Sequence, residues 1–422
     1  HSIKHGRRAV YQHKILEALC KEEDLILRDL VRDFVNDEIM PVRQQIDDDE
    51  DHAIVRGLLQ GLANLGFTRA IFPEKYGGSD MHSAVTLGLP LEEVARGDSG
   101  IAVALACCLW PFMPAVWAQN EAVLDYFGPM FCGDDLKIGC FNMTEPGGPS
   151  GGGGCDIENP GMQGRRISTR AVLDGNQWVL NGQKIWATNS GIADAYLMVC
   201  TTDPSLGDDG IALIYVPGDA EGLSFGKFEK KAGMAADRNT TTYLDNVRVP
   251  ESFRLAGPGE DARYFHANLT IGRLASAAMS VGNAQGAFET VLDFTGERVV
   301  GKVAKPIRDH SICAGMLADM AIGIETARLT YLSAGYRFDH PQEYGAIHSL
   351  EQLSLASIAK VYSADVAVMV TNRAMELMGS YGYVRDCDVE KYWRDCKIIQ
   401  LWEGGAQLGR FDVCRAYYDL PL

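Results

Sequence analysis

Hydrophobic periodicity changes twice along this 422-residue chain, and that double change restricts the fold to one architecture. From Glu22 the apolar residues Leu25, Leu27, Leu30, Val31, Phe34 and Val35 recur at helical spacing, with charges between them, and the pattern stops near Pro41. Helices are predicted over 53–65, 83–97, 100–118 and 120–127. The stretch 100–118 is apolar nearly all round, which predicts a buried helix or a pocket wall. The period then falls to two. Segments 167–173, 177–180 and 183–188 alternate and are separated by Asp174-Gly175 and Asn181-Gly182, a strong hairpin signal. Further strands are predicted at 196–201, 211–216, 223–225 and 241–244. Helical spacing returns near residue 260, with long segments near 262–298, 308–335, 351–378 and 388–400. The reading is an α+β multi-domain protein. It has an extension at 1–21, an α domain at 22–138, a small antiparallel β domain at 139–258 and an α domain at 259–422.

Charge and cysteine usage narrow the function. Lys plus Arg total 39 against 56 Asp plus Glu, a net charge of −17, which argues against binding nucleic acid or an anionic membrane. No uninterrupted apolar run reaches the roughly 18 residues of a membrane span. The 11 cysteines are scattered, with Cys107 and Cys108 adjacent and no Cys-x-x-Cys. That pattern predicts reduced thiols in a cytoplasmic compartment, with a mitochondrial matrix as the second choice. The nine histidines show no metal-ligand spacing, so no metal is expected.

The richest stretch for chemistry is 391–410. Its apolar patch, Ile398, Ile399, Leu401 and Trp402, runs directly into Glu403, Gly404 and Gly405. A carboxylate beside Trp and Leu loses hydration, which raises its pKa toward the working range of a general base. Two glycines let the backbone approach a ligand closely. The plainer alternative is a turn that happens to carry a Glu. A second candidate is 141–150, where Thr144 and Ser150 offer hydroxyls among glycines. It has neither a Gly-Lys-[Ser/Thr] phosphate loop nor a strand-GxGxxG-helix context, and a solvated linker is its plainer reading. Trp186 and Thr188, on a predicted strand, offer a flat ring and a hydroxyl, or simply a core Trp.

Together these segments resemble the acyl-CoA dehydrogenase family over about residues 22–420. The resemblance rests on Met143-Thr-Glu-Pro-Gly147, Leu180-Asn-Gly-Gln-Lys-Ile-Trp-Ala-Thr-Asn189, Gly272-Arg273, Leu377-Met-Gly-Ser-Tyr-Gly-Tyr383 and Trp402-Glu-Gly-Gly-Ala-Gln407. It implies an all-α N-terminal domain, an antiparallel β-barrel-like middle domain and a C-terminal four-helix bundle around FAD and an acyl-CoA thioester. It also implies the reaction: a base takes an α-proton while hydride leaves the β-carbon for the flavin, and an electron-transfer flavoprotein accepts the electrons. Glu403 matches the base. Some branches of the family carry the base on the helix that here bears Gly272, which cannot serve. Nitroalkane-oxidising relatives have Asp at the position of Glu403, so a Glu favours acyl-CoA desaturation.

The same resemblance assigns Phe141, Met143, Thr144, Trp186 and Thr188 to the flavin, with the two hydroxyls bonding the ring and Trp186 stacking on it. Gly405 and Gln407 are also assigned to the cofactor. Ser150, Thr270, Arg273 and Gly404 match acyl-CoA positions. Arg298 and the segment Glu376, Gly379 and Ser380 would complete the site of a neighbouring subunit, which implies a homotetramer or homodimer. The chain departs from the family pattern at Val299 to Ala304, two residues longer, at Glu376 and Ser380, at Gly405, and in a longer 151–164 segment read either as a lid over the ligand mouth or as an exposed insertion with no role. An oxygen-using acyl-CoA oxidase and a non-catalytic acyl-CoA or flavin binder remain as alternatives. Ala102, where glutaryl-type members carry an Arg, speaks against a dicarboxylic acyl chain. The bulk of Trp110, Phe112, Met113 and Trp402 predicts a compact or cyclic acyl group.

Overall fold

The computed structural model describes residues 20–146, 167–302 and 304–418; Ser150, the 151–164 segment and nearly all of the 1–21 extension lie outside them. The N-terminal region is helical: α1 (Glu22–Phe34), α2 (Ala53–Asn64), α3 (Ala84–Gly97), α4 (Ser99–Leu109), α5 (Met113–Trp117) and α6 (Glu121–Phe131). The predicted 100–118 helix is broken at Trp110–Phe112, where Pro111 cannot continue the hydrogen-bond ladder. Asp98 caps α4 by accepting from the Ile101 amide at 2.9 Å. The buried face of α1 is Asp24, Arg28 and Val31, while Leu30 is exposed. Asp24 turns inward with a polar partner, since Thr86 donates to it at 2.7 Å; Arg28, also buried, bonds its exposed neighbour Asp29 at 2.6 Å.

The sheet region runs through β1 (Gly139–Asn142), β2 (Arg170–Asp174), β3 (Gln177–Lys184), β4 (Ala195–Thr201), β5 (Ile211–Pro217), β6 (Leu223–Phe225) and β7 (Thr242–Pro250). Two corrections to the sequence reading follow. The sheet is mixed, because β1 pairs with β4 in parallel while β5 pairs with β4 antiparallel. Asn181-Gly182 is not a turn: β3 runs straight through it, with a register shift between Leu180 and Gly182 opposite β7. The true hairpin lies at Gly175-Asn176, with Asp174 facing Gln177. Strands β2, β3, β7 and β6 form one curled ribbon, joined to β4 by a single pairing of Arg170 with Thr201.

The C-terminal region holds α7 (Glu260–Glu297), a two-residue hairpin of β8 (Val299–Val300) and β9 (Lys305–Pro306), α8 (Ser311–Asp339), α9 (Leu350–Met378), α10 (Val389–Leu401) and α11 (Gly405–Tyr417). The unusual sequence after Arg298 thus forms the β8–β9 hairpin. Helix α7 is buried over most of its length and packs on α9, α8 and α3. Gly282 permits the approach of α3, since a Cβ there would lie 2.0 Å from the Glu92 carbonyl oxygen. Two stretches, Ser99–Trp117 and Leu350–Tyr383, are apolar and long enough to cross a membrane by length and composition, although neither is an unbroken apolar run. Their apolar windows are 78% and 67% buried inside the protein, so the fold already covers them.

Candidate active site

The three regions meet around a cavity of about 500 Å³. Its mouth is built by two segments that a buried ion pair locks together. Lys184, at the end of β3, reaches Glu145 at 2.7 Å and the Met143 carbonyl at 3.1 Å. Ser168 and Thr169 add backbone donors to the same carboxylate at 2.7 and 2.9 Å. Burial alone would raise the Glu145 pKa, but Lys184 and these donors outweigh it and hold the group down at about 2. The Ile185 amide then bonds the Thr144 carbonyl at 2.9 Å, so the 143–146 and 184–188 segments move as one body.

Phe141, Met143, Thr144, Trp186 and Thr188 all line this cavity, as does Glu403. Trp186 does not lie on a strand: β3 stops at Lys184, and Trp186 has φ +66° with 56% of its surface exposed. The Asn239 amide holds its carbonyl at 2.9 Å. A large ring held in a sparsely used backbone conformation, bare on the cavity side, is a face for a flat aromatic ligand. With the two threonines beside it, this wall fits the isoalloxazine ring of FAD.

The opposite wall is apolar. Helix α3 contributes Ala84, Leu87, Pro90 and Leu91, and α4 contributes Val103 and Ala106. Trp110 lies against Phe141, with ring centroids 4.8 Å apart, and donates to the Asn268 carbonyl at 2.8 Å. Gly272 makes room for it, because a Cβ there would come within 2.4 Å of the indole. A carboxylate at 272 would therefore displace Trp110. Met113 also lines the cavity, whereas Phe112 faces away into a cluster with Phe72, Phe127 and Phe131. Ala102 is fully buried and does not line the cavity.

Glu403 follows the end of α10 in an unusual turn. Glu403, Gly404 and Gly405 have φ of +56°, +82° and +67°, and the Gly405 amide bonds the Trp402 carbonyl at 2.9 Å. Positive φ at both central residues is the type I′ pattern, which favours Gly, Asn or Asp at the place held by Glu403. Trp402 is fixed on the cavity wall by its indole N–H, which donates to Ser276 Oγ at 2.9 Å.

Several expected residues lie elsewhere. Arg273 is buried against Asp412 Oδ2 at 2.6 Å and Ser357 Oγ at 2.5 Å, so its charge is committed to α11 and α9 rather than to a ligand. Thr270 donates to the His266 carbonyl at 3.0 Å and is off the cavity wall. Gly404 and Gly405 shape the turn, and Gln407 is exposed on α11. Arg298, Glu376, Gly379 and Ser380 form an exposed face away from this chain's own cavity, with the Arg298 guanidinium 4.8 Å from the Tyr381 ring centroid.

The sequence reading also missed a polar corner of the cavity. Lys231 pairs with Asp237 at 3.2 Å and bonds Asn239, and all three line the wall beside Trp186. They come from an irregular segment between β6 and β7, where no periodicity marks which side chains point inward. The described residues hold no group of three or more His, Cys, Asp or Glu side chains placed for a metal ion.

Comparison with known proteins gives one answer along the whole length. The models of the acyl-CoA dehydrogenase N-terminal, middle and C-terminal domains match residues 21–122, 140–247 and 262–417. The cyclohexane-1-carbonyl-CoA dehydrogenase of Syntrophus aciditrophicus (strain SB) is 31% identical over 93% of this chain and 95% of its own. A glutaryl-coenzyme A dehydrogenase in complex with glutaryl-CoA matches with a TM-score of 0.84 at 28% identity, covering 95% of this chain and 96% of that one. Butyryl-CoA dehydrogenase from Megasphaera elsdenii matches with a TM-score of 0.82 at 29% identity, over 94% of this chain and 99% of its own.

Proposed function

The chain belongs to the acyl-CoA dehydrogenase family, oxidoreductases acting on CH–CH bonds, and we propose that it desaturates a compact or cyclic acyl-CoA with Glu403 as the base. The observation that carries this reading is the placement of Glu403 in one cavity with Phe141, Met143, Thr144, Trp186 and Thr188. FAD, when bound, supplies the acceptor for the hydride leaving the β-carbon. Trp186, Thr144 and Thr188 hold the flavin ring, and Glu403 takes the α-proton from the thioester on the apolar side. Trp110, Pro90, Leu91 and Met113 enclose the acyl group and exclude water. No charged side chain stands among the α3 and α4 residues of that wall, so a distal carboxylate would be buried without a partner, at a cost of several kcal/mol. A monocyclic carboxylic acyl group suits this wall, as the substrate named for the Syntrophus relative suggests. Arg298, Glu376, Gly379 and Ser380 serve the cofactor of a second copy in a homodimer or homotetramer, and an electron-transfer flavoprotein takes the electrons.

The test is anaerobic stopped-flow bleaching of the flavin band with straight, branched, cyclic and dicarboxylic acyl-CoAs. Cyclic thioesters should bleach the flavin fastest, and palmitoyl- and glutaryl-CoA should be poor. Glu403→Gln should retain FAD and bind ligand, yet reduce its flavin on the order of 10²–10⁴-fold more slowly. A Gln variant that bleaches at the wild-type rate would remove Glu403 as the base.

A further inference from the structure

We infer that Lys360 is a positioning residue that holds the Glu403 turn in its strained form. This rests on the reading of Glu403 as the base. Lys360 lies in α9 and is buried to 1% exposure. Its ammonium donates to the Trp402 carbonyl at 2.8 Å and to the Gln400 carbonyl at 3.3 Å. Both oxygens belong to the C-terminal end of α10, where carbonyls lack helical donors and the helix dipole is negative. A cation there satisfies both.

The Trp402 carbonyl carries the argument. It accepts from Lys360 on one side and from the Gly405 amide on the other, so both lone pairs are used. The second bond closes the turn across Glu403 and Gly404; the first fastens the turn to α9. A Glu at φ +56° is strained, and such a residue persists only where its surroundings over-determine it. Lys360 supplies that constraint from outside the turn. Trp402 supplies a second, because Ser276 Oγ accepts from its indole and donates in turn to the Gly272 carbonyl at 2.9 Å. The backbone directly before the base is thus fixed by α9 and the side chain of the same residue by α7.

The other charges near this turn are already committed to one another. Asp365 on α9 pairs with Arg410 on α11 at 2.6 Å and accepts from Gln400 at 2.8 Å. Arg273 on α7 and Arg415 on α11 both face Asp412, at 2.6 and 3.6 Å. On α10 itself, Lys397 bonds Gln400 Oε1 at 2.5 Å. Among these cations, Lys360 is the one bonded to the carbonyl next to Glu403.

Two measurements test this. In the wild-type holoenzyme, the Gly405 amide should exchange with deuterium in the slow class of the core helices rather than with the frayed termini. Fast exchange there would overturn the proposal without any variant. In Lys360→Met, the limiting rate of flavin reduction should fall about 10–100-fold, as expected when a reacting group is displaced by about 1 Å. FAD content and affinity for an unreactive acyl-CoA thioether should stay within about threefold of wild type, since Lys360 does not itself line the cavity. A wild-type reduction rate in the Met variant, or parallel losses of rate, FAD and ligand affinity, would also overturn it. The two readings fail differently: an active Glu403→Gln removes the base, while an inactive Glu403→Gln beside a fully active Lys360→Met removes only the role of Lys360.

Discussion

The two ends of α10 are secured by opposite means. Near its start, Lys391 meets three carboxylates, Asp47 and Asp98 at 2.9 Å and its own neighbour Asp395 at 3.2 Å. Asp395 also accepts from the Met234 amide at 2.5 Å, so this one cluster ties together the N-terminal, sheet and C-terminal regions. Burial works against the charge of Lys391, but Asp395 and Asp98 outweigh it and hold its pKa above the usual lysine value. At its other end one buried lysine of α9, Lys360, holds two carbonyls, and the cavity follows. The first end is built from many charges that fix the assembly of domains. The second spends a single cation on one turn and leaves the adjoining wall apolar. The difference separates what the structure needs to hold together from what the chemistry needs to stay open.

Removing the charge at the first end should have the largest effect on stability. Lys391→Met leaves buried carboxylates uncompensated, and breaking such a cluster costs about 3–5 kcal/mol. Urea unfolding should show that loss, while the flavin-reduction rate per folded enzyme stays within about twofold of wild type. A large fall in rate with unchanged stability would break the distinction between the two ends.

The Glu145–Lys184 clasp offers a pH test of the same contrast. Glu145 is depressed from its ordinary 4.5 to about 2, so its stabilisation is complete above pH 4.5 and is lost as pH falls toward 2. The fall is worth on the order of 3 kcal/mol. Wild type should therefore exceed Glu145→Gln in unfolding free energy by roughly that amount at pH 7, and the gap should close as pH falls below 4.5.

The smallest effect belongs to the cavity end. Ser276→Ala deletes one hydrogen bond to Trp402 and should cost about 1 kcal/mol in urea unfolding. A loss as large as that of Lys391→Met would mean that the two ends are equally structural.

Much of this was legible in the sequence, for identifiable reasons. The change of period marked the sheet because Trp178, Leu180 and Lys184 fall on one buried face of β3, whereas in β2 Ala171 alone is buried. Trp402, Glu403, Met143 and Thr144 stood out because apolar, acidic and Gly-rich residues sit side by side. Arg273 was assigned to the acyl-CoA by resemblance alone, and its pairing with Asp412, 139 positions away, could not be read from the sequence. Lys360, Lys391 and Lys231 were silent for the same reason: a buried cation is explained by partners distant in sequence. Asn181-Gly182 misled because a bulge and a turn draw on the same two residues.

The turn at Glu403 has a consequence for how this enzyme could change. Its backbone geometry suits Gly or Asn better than Glu. Drift that selected for stability alone would therefore favour replacing the acid at this turn. With Glu403 as the proposed base, catalysis at this site is held against a thermodynamic pull toward a residue that could not perform it.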